Sequence, residues 1–404
     1  MTRNITVAIS LLAISGCESL EQVSDSFRDA TPRERYLGSL EMAGLADAAL
    51  ARDWSDAGEA ALESPVEVTL PFSEETFVMP AEPRAAAYRV TLERGRKLTV
   101  SVRTSESDGG EAARVFVDLF RVPENEEDPH RPIESVDSVP WSYEYEPWRG
   151  GEFVIRVQPE LLRGGYFTVE LGQEAQLAFP VGGSDVGSIL SFFGDDRDAG
   201  RRRHHGVDIF ARRGTPVLAA SAGETYGVRE TDIGGKVVWV RDSVRQARVY
   251  YAHLDGWAVG NDEWVEPGDT LGFVGNSGNA RTTPPHLHFG LYRRGRGPDR
   301  GPTDPMPFLA RPSGEVEAQP DRTLLGGWGR ITTDGINLRA TPSGPVVGTA
   351  EANEIARVLA GAADRGRSSY LIELGTGLRG YLAEDFLELG TEATAPVPVA
   401  GGSG

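Results

Sequence analysis

Cysteine is almost absent. Cys17 is the only one among 404 residues, so no disulfide can form within the chain. Positive charge is short as well: 41 Lys and Arg face 60 Asp and Glu, a net charge of −19. A phosphate backbone repels such a surface, and nucleic acid is not an expected partner. Beyond the first 16 residues no stretch is long and apolar enough for a transmembrane helix. Histidine is scarce, with six in all, yet two of them stand one residue apart in TTPPHLHFGLY, 282–292. What is plentiful is glycine (49) and proline (26), which favour many turns and short strands over long helices.

The start, MTRNITVAISLLAISGC, has a basic residue at Arg3, an apolar run over 5–14 and then small residues. That is a secretory signal pattern, too short to span a bilayer comfortably. Its ending, ISGC at 14–17, resembles a bacterial lipobox. The resemblance implies cleavage before Cys17 and lipid attachment to it. The protein would then be an extracytoplasmic lipoprotein on the periplasmic face of a membrane, the outer membrane favoured. Stable anchoring follows from several acyl chains on one residue. An ordinary signal peptide with a chance cysteine is the plain alternative.

Further along, residues 17–62 read as a tether and a helical segment. In TPRE, 31–34, Thr31 can cap, Pro32 suits the first turn and Glu34 completes a capping box. Helix is expected to about Leu50, with a break near 53–58. Residues 63–174 hold repeated short apolar runs (AAAYRVTLERGRKLTVSVRT, ARVFVDLFRV, EFVIRVQPE, YFTVELG), the rhythm of a β-sandwich. Their order resembles the pre-peptidase C-terminal type. The acidic run 124–128 reads as a solvated loop and His130 as an exposed bystander. Residues 177–312 carry the paired histidines. Residues 313–326 read as a linker, and the Pro/Ala/Gly/Ser-rich 391–404 as a disordered tail. Between them, in 327–390, INLRATPSGPVVGTA and GYLAEDFL resemble a bacterial SH3-like domain, a small barrel that accompanies wall-degrading enzymes. The fold class expected is mainly β and multi-domain.

HLHFGLY reads as a strand following Pro284 and Pro285. Residues i and i+2 of a strand share a face, so His286 and His288 project together while Leu287 and Phe289 point into a core. Two such imidazoles serve as two metal ligands, as one ligand and one acid/base group, or simply as exposed polar residues. Upstream, RRRHHGVDIF (201–210) sets His204 and Asp208 four apart. Gly206, Gly214 and Pro216 argue against a helix there and for a turn entering the strand VDIF. Combined, these residues offer enough nitrogen and oxygen donors for a three-ligand zinc site with an open position.

Three motifs in order, H-x-G-x-D at 204–208, A-H-L at 252–254 and H-x-H at 286–288, resemble the lysostaphin-type zinc endopeptidases, the LytM domain. The resemblance spans 177–312. It implies an antiparallel β-sheet domain with a substrate groove and one zinc ion. It makes His204, Asp208 and His288 the ligands, and His253 and His286 the catalytic pair. Zinc would polarise the scissile carbonyl and generate hydroxide near neutral pH, with the histidines moving protons. Alternation in VYYAHL sets Tyr251 and His253 on one face and Ala252 and Leu254 on the other. Tyr251 is then a candidate for oxyanion binding, with groove or core packing as the alternative. His205 is the spare histidine, Arg201–Arg203 an exposed basic run, and Trp257 and Trp264 loop packing. Gly290 stands where the family often has glutamate, and Pro285 where it often has glycine. The function implied is a metalloendopeptidase acting on peptidoglycan, with envelope proteins as further partners. A non-catalytic activator of another wall enzyme, or a peptidase of protein substrates, are the alternatives.

Overall fold

A computed structural model describes residues 30–105, 114–123, 125, 130–197, 200–295, 300–309, 320–364 and 366–389. The expected signal segment, Cys17, most of the acidic run at 124–128 and the tail lie outside the described residues. No helix among those described is long and apolar enough to cross a membrane. Apart from two helices at the start, the architecture is sheet.

The first helix, Pro32–Met42, opens on the capping box: Thr31 Oγ1 accepts from the Glu34 N–H, and the Glu34 carboxylate accepts from the Thr31 N–H at 2.6 Å. It ends where the Ala43 N–H turns back to Ser39 and Gly44 takes φ +69°. A second helix, Ala49–Glu63, follows. The break therefore falls at 43–48 and not near 53–58. Residues 53–58 stay helical because they pack on a sheet: Trp54 Nε1 donates to the Pro159 carbonyl at 2.7 Å, and a Cβ on Gly58 would meet Arg33 and Gln158 within 2.4 Å.

Two sheets form the next layer. One runs Val66–Glu67, Ala86–Leu92, Gly151–Pro159, Val115–Arg121, Arg131–Val136. The other contains Phe72–Val78, Gly165–Ala175, Arg96–Ser105 and Trp141–Tyr145 in that order. Alternate residues of both, among them Val90, Val100, Val117, Ile155 and Val169, share one buried core. His130 is half-buried beside Phe120, with ring centroids 6.1 Å apart, and is not the exposed residue expected.

The second sheet does not stop there. Residues Phe72 to Thr76 pair antiparallel with Asp364 to Ala360 of strand Ile355–Asp364, so the C-terminal strands continue the sandwich sheet. Ala362 and Tyr381 belong to the sandwich core, and Phe77 and Tyr166 pack on the C-terminal core. Part of the expected linker joins that core too. Residues 322–324 form a 3-10 turn, with Leu324 and Leu325 buried among Ile331, Leu338 and Tyr370. Apolar Leu-Leu at this point overrides the polar stretch around it.

The central unit is a third sheet, ordered Ile189–Ser191, Val207–Phe210, His286–Arg293, Ala247–Trp257, Gly235–Asp242, Gly223–Thr231, Trp264–Val265. Val207, Ile209, Tyr251, Leu287 and Phe289 make its buried face. Its two ends meet: Leu177 and Leu309 form a parallel bridge, and the Leu177 N–H donates to the Phe308 carbonyl at 2.9 Å.

Candidate metal centre

Strand register builds the site. Asp208 on Val207–Phe210 stands directly opposite His288 on His286–Arg293, so their side chains share a face. His204 arrives from the turn before. Its N–H donates to the Asp195 carbonyl at 2.8 Å and its carbonyl accepts from the Gly194 N–H at 2.8 Å. Gly206 permits the turn: a Cβ there would lie 2.3 Å from the Phe289 carbonyl oxygen and 2.9 Å from His288 Cε1.

Three ligand atoms converge. His204 Nε2 and His288 Nδ1 are 2.9 Å apart, His204 Nε2 and Asp208 Oδ1 3.1 Å, His288 Nδ1 and Asp208 Oδ1 3.0 Å. Zinc bonds of about 2.0–2.2 Å set tetrahedral ligands roughly 3.3 Å apart, so the triangle fits the ion with one position open. Outer contacts agree. The His204 Nδ1–H donates to the Phe192 carbonyl at 2.8 Å, which turns the Nε2 lone pair toward the centre. Asp208 Oδ2 accepts from Arg197 Nη2 at 2.6 Å, leaving Oδ1 for the centre. Burial would raise the Asp208 carboxyl, but hydrogen bonds from His204 and His288 and their charge outweigh it and hold it far below the usual carboxylate range. The His288 imidazole is lowered by burial, against the pull of Asp208.

Two more imidazoles adjoin. His286 and His253 have ring centroids 5.1 Å apart, and His253 lies 6.0 Å from His288. Each is held by its Nδ1, His253 on the Ser277 carbonyl and His286 on the Pro284 carbonyl, both at 2.9 Å. Both Nε2 lone pairs are thereby free of the backbone. Burial, then the charges of His286 and His288, push the His253 pKa down to about 4.

The structure thus brings together all five residues picked out in the sequence, but the route to His253 differs from the one expected. Ala252, not Tyr251, stands opposite His288. Between Val238–Tyr251 and Lys236–Leu254 the register slips, so Ala252 and His253 together oppose Val237. This is a β-bulge, and His253 takes φ +64° in it. A non-glycine residue in that region carries about 1–3 kcal/mol of strain, and here the strain aims the imidazole at the site. Tyr251 faces the core instead, its hydroxyl accepting from the Ala220 N–H at 2.8 Å. Tyr250 is the tyrosine on the site face, its ring 5.8 Å from His288. Sequence reasoning missed it and Arg197; only the bulge decides which of two adjacent tyrosines points out, and Arg197 belongs to no spacing pattern. His205 is exposed and outside the ligand cluster. Arg203 pairs with Asp196 at 2.5 Å. Trp257 donates to the Val237 carbonyl at 3.1 Å and Trp264 to Glu266 at 2.7 Å, but both indoles are exposed and lie at strand ends, so they are not the loop packing expected. A groove of about 380 Å³ covers the centre, with Phe210, Ile233, Tyr250, Asn279 and Tyr292 among its walls.

Residues 202–300 match the model of peptidase family M23, so this unit is an M23 domain. The chain is 39% identical over 160 residues to the L-Ala--D-Glu endopeptidase of Bacillus subtilis, covering 36% of this chain and 45% of that one. It is 34% identical over 107 residues to lysostaphin of Staphylococcus simulans, 26% of this chain and 21% of that protein. To the peptidoglycan DD-endopeptidase ShyC of Vibrio cholerae it is 35% identical over 88 residues, 22% and 20% of the two chains. The match thus spans less than half the length of each of these relatives. Among solved structures, the catalytic domain of lysostaphin from Staphylococcus simulans is 30% identical, covers 30% of this chain and 89% of that one, and has a TM-score of 0.26.

Proposed function

We propose that the protein is an extracytoplasmic zinc endopeptidase that hydrolyses peptide bonds in the stem or cross-link of peptidoglycan. The observation that carries this is the triangle of His204 Nε2, Asp208 Oδ1 and His288 Nδ1, with sides of 2.9–3.1 Å and two further imidazoles beside it. The M23 match and the wall-acting names of the relatives supply the substrate class.

His204, Asp208 and His288 would hold the ion. Zinc bound there supplies Lewis-acid polarisation of a carbonyl and a water acidified to a pKa of about 7. The chain's own part is proton handling and orientation. His253 and His286, each with Nδ1–H committed to a carbonyl, present Nε2 to the groove. One proton leaves the attacking water and one reaches the departing amine, and this pair is placed to carry both. Arg197 holds Asp208 in its ligating orientation and balances its outer oxygen.

In the same reading Cys17 carries a lipid that tethers the enzyme to a membrane at the periplasmic face, and the SH3-like 327–390 unit associates with wall or envelope protein. The complete donor set argues against a purely activating role. The test is solubilisation of purified peptidoglycan by the full chain, with mass spectrometry of the released fragments. Clearing abolished by chelator and restored by zinc supports the proposal. Stimulation of a separate amidase without intrinsic clearing, or cleavage of proteins alone, defeats it.

A further inference from the structure

One face of an antiparallel sheet packs on the core and the other is ordinarily polar. The outer face of the M23 sheet departs from this. Tyr226 stands opposite Trp239, Trp239 opposite Tyr250, and Tyr250 opposite Gly290, a single row across four strands. Ring centroids are 6.1 Å apart for Tyr226 and Trp239, 4.3 Å for Trp239 and Tyr250, and 5.3 Å for Trp239 and Tyr292. All four rings are half-buried, so each keeps part of its surface open. Gly290 makes the cluster possible: a Cβ there would come within 2.9 Å of Tyr292 Cε2. Tyr250 and Tyr292 also line the groove over the metal centre, so the row is continuous with it. At the far end the Arg241 guanidinium lies 5.0 Å from the Tyr226 ring centroid.

We propose that this row is a subsite for the sugar strand of the substrate, a β-1,4-linked chain of N-acetylated amino sugars. It rests on the peptidoglycan reading above and adds to it that the glycan, and not only the peptide, is recognised. A pyranose ring presents a flat face of C–H bonds whose slightly positive hydrogens pack on the negative π face of an aromatic ring. Its rim of hydroxyl and acetamido groups needs donors, which guanidinium provides. A peptide in a groove seeks strand-edge hydrogen bonds, which a row of partly exposed aromatic side chains does not offer. Tyr226, Trp239 and Tyr250 span about 10 Å across three strands, the length of a disaccharide. The row starts beside His288, so a bound sugar strand would hold its attached peptide next to the metal centre.

The first arm titrates the full-length protein with tetra-N-acetylchitotetraose, followed by tryptophan fluorescence and calorimetry, with zinc present and after chelation. Saturable binding is expected in both states. Tyr226→Ala and Trp239→Ala should weaken it at least tenfold, Trp239→Phe should retain most of it, and Gly290→Glu should weaken it by displacing Tyr292. Thermal melts identify any variant that fails to fold. In the second arm, kcat/KM is compared for a cross-linked peptide with and without its disaccharide. The ratio should fall about tenfold in Tyr226→Ala. Absence of tetrasaccharide binding by the unaltered protein overturns the proposal, as does unchanged affinity in folded Tyr226→Ala, or a loss confined to sugar-free peptide. Sugar binding without cleavage of any wall substrate would defeat the enzymatic reading and leave the subsite standing. Cleavage with no sugar preference would do the reverse.

Discussion

Tyr381 donates its hydroxyl to Glu74 Oε2 at 2.6 Å, across 307 positions of sequence. Tyr88 donates to Oε1 of the same carboxyl at 2.7 Å. The bond crosses the seam where Phe72–Val78 pairs with Ile355–Asp364, and burial, only partly offset by these bonds, raises the Glu74 pKa from its ordinary 4.5. The folded state therefore holds this proton to higher pH than the unfolded chain does. Stability from this group is complete below about pH 4.5 and declines as pH rises from there through the raised folded value. Glu74→Gln is expected to flatten that decline and raise the melting temperature at pH 8. Tyr381→Phe leaves Oε2 without this donor and should cost about 1–3 kcal/mol. Thermal melts between pH 4 and 8 measure both.

Zinc content and turnover should separate the five site residues. His204→Ala and Asp208→Ala are expected to lose both metal and activity. His253→Ala and His286→Ala should keep the metal and lose about 10²–10⁴ in kcat. Metal analysis of the purified variants beside their kinetics checks this; a folded but zinc-free His253→Ala protein would contradict the assignment.

Arg197 touches Asp208 and not the metal position. Arg197→Met should weaken zinc affinity by about 10–100-fold, read by competition with a chelator, while the melting temperature of the metal-free protein changes little. Arg197→Lys should recover part of the loss, since one ammonium replaces one arm of the fork.

Tyr251 offers a contrast with its neighbours. Its hydroxyl serves the Ala220 N–H in the core, on the face of the sheet away from the candidate site. Tyr251→Phe should leave kcat/KM within about twofold and cost about 1–3 kcal/mol of stability through the orphaned N–H. A large fall in kcat with unchanged stability would return this residue to the oxyanion role.

Much of the site was legible because its candidate ligands sit on motifs with fixed local geometry. H-x-H states a shared strand face outright, and Gly206 in H-x-G-x-D marks where a chain must pass against Phe289. The bulge at His253 was not legible, since period-two reasoning assumes unbroken register and nothing in VYYAHL announces an extra residue. The helix break was misplaced for a related reason. Gly58 reads as a breaker, yet Arg33 and Gln158 press on its bare Cα and favour helix there. The seam between sandwich and C-terminal strands could not be read at all, because pairing over nearly 300 residues leaves no local trace.

The bridge between Leu177 and Leu309 closes the M23 domain on itself at its base. Chain enters and leaves at one spot, while the sandwich and C-terminal strands around it knit directly to each other. The candidate metal centre therefore resides in a cassette set into a host frame. Adjacent ends make such a unit exchangeable: a short peptide joining the two leucines should leave the frame folded, and another domain with adjoining termini should seat in the same place.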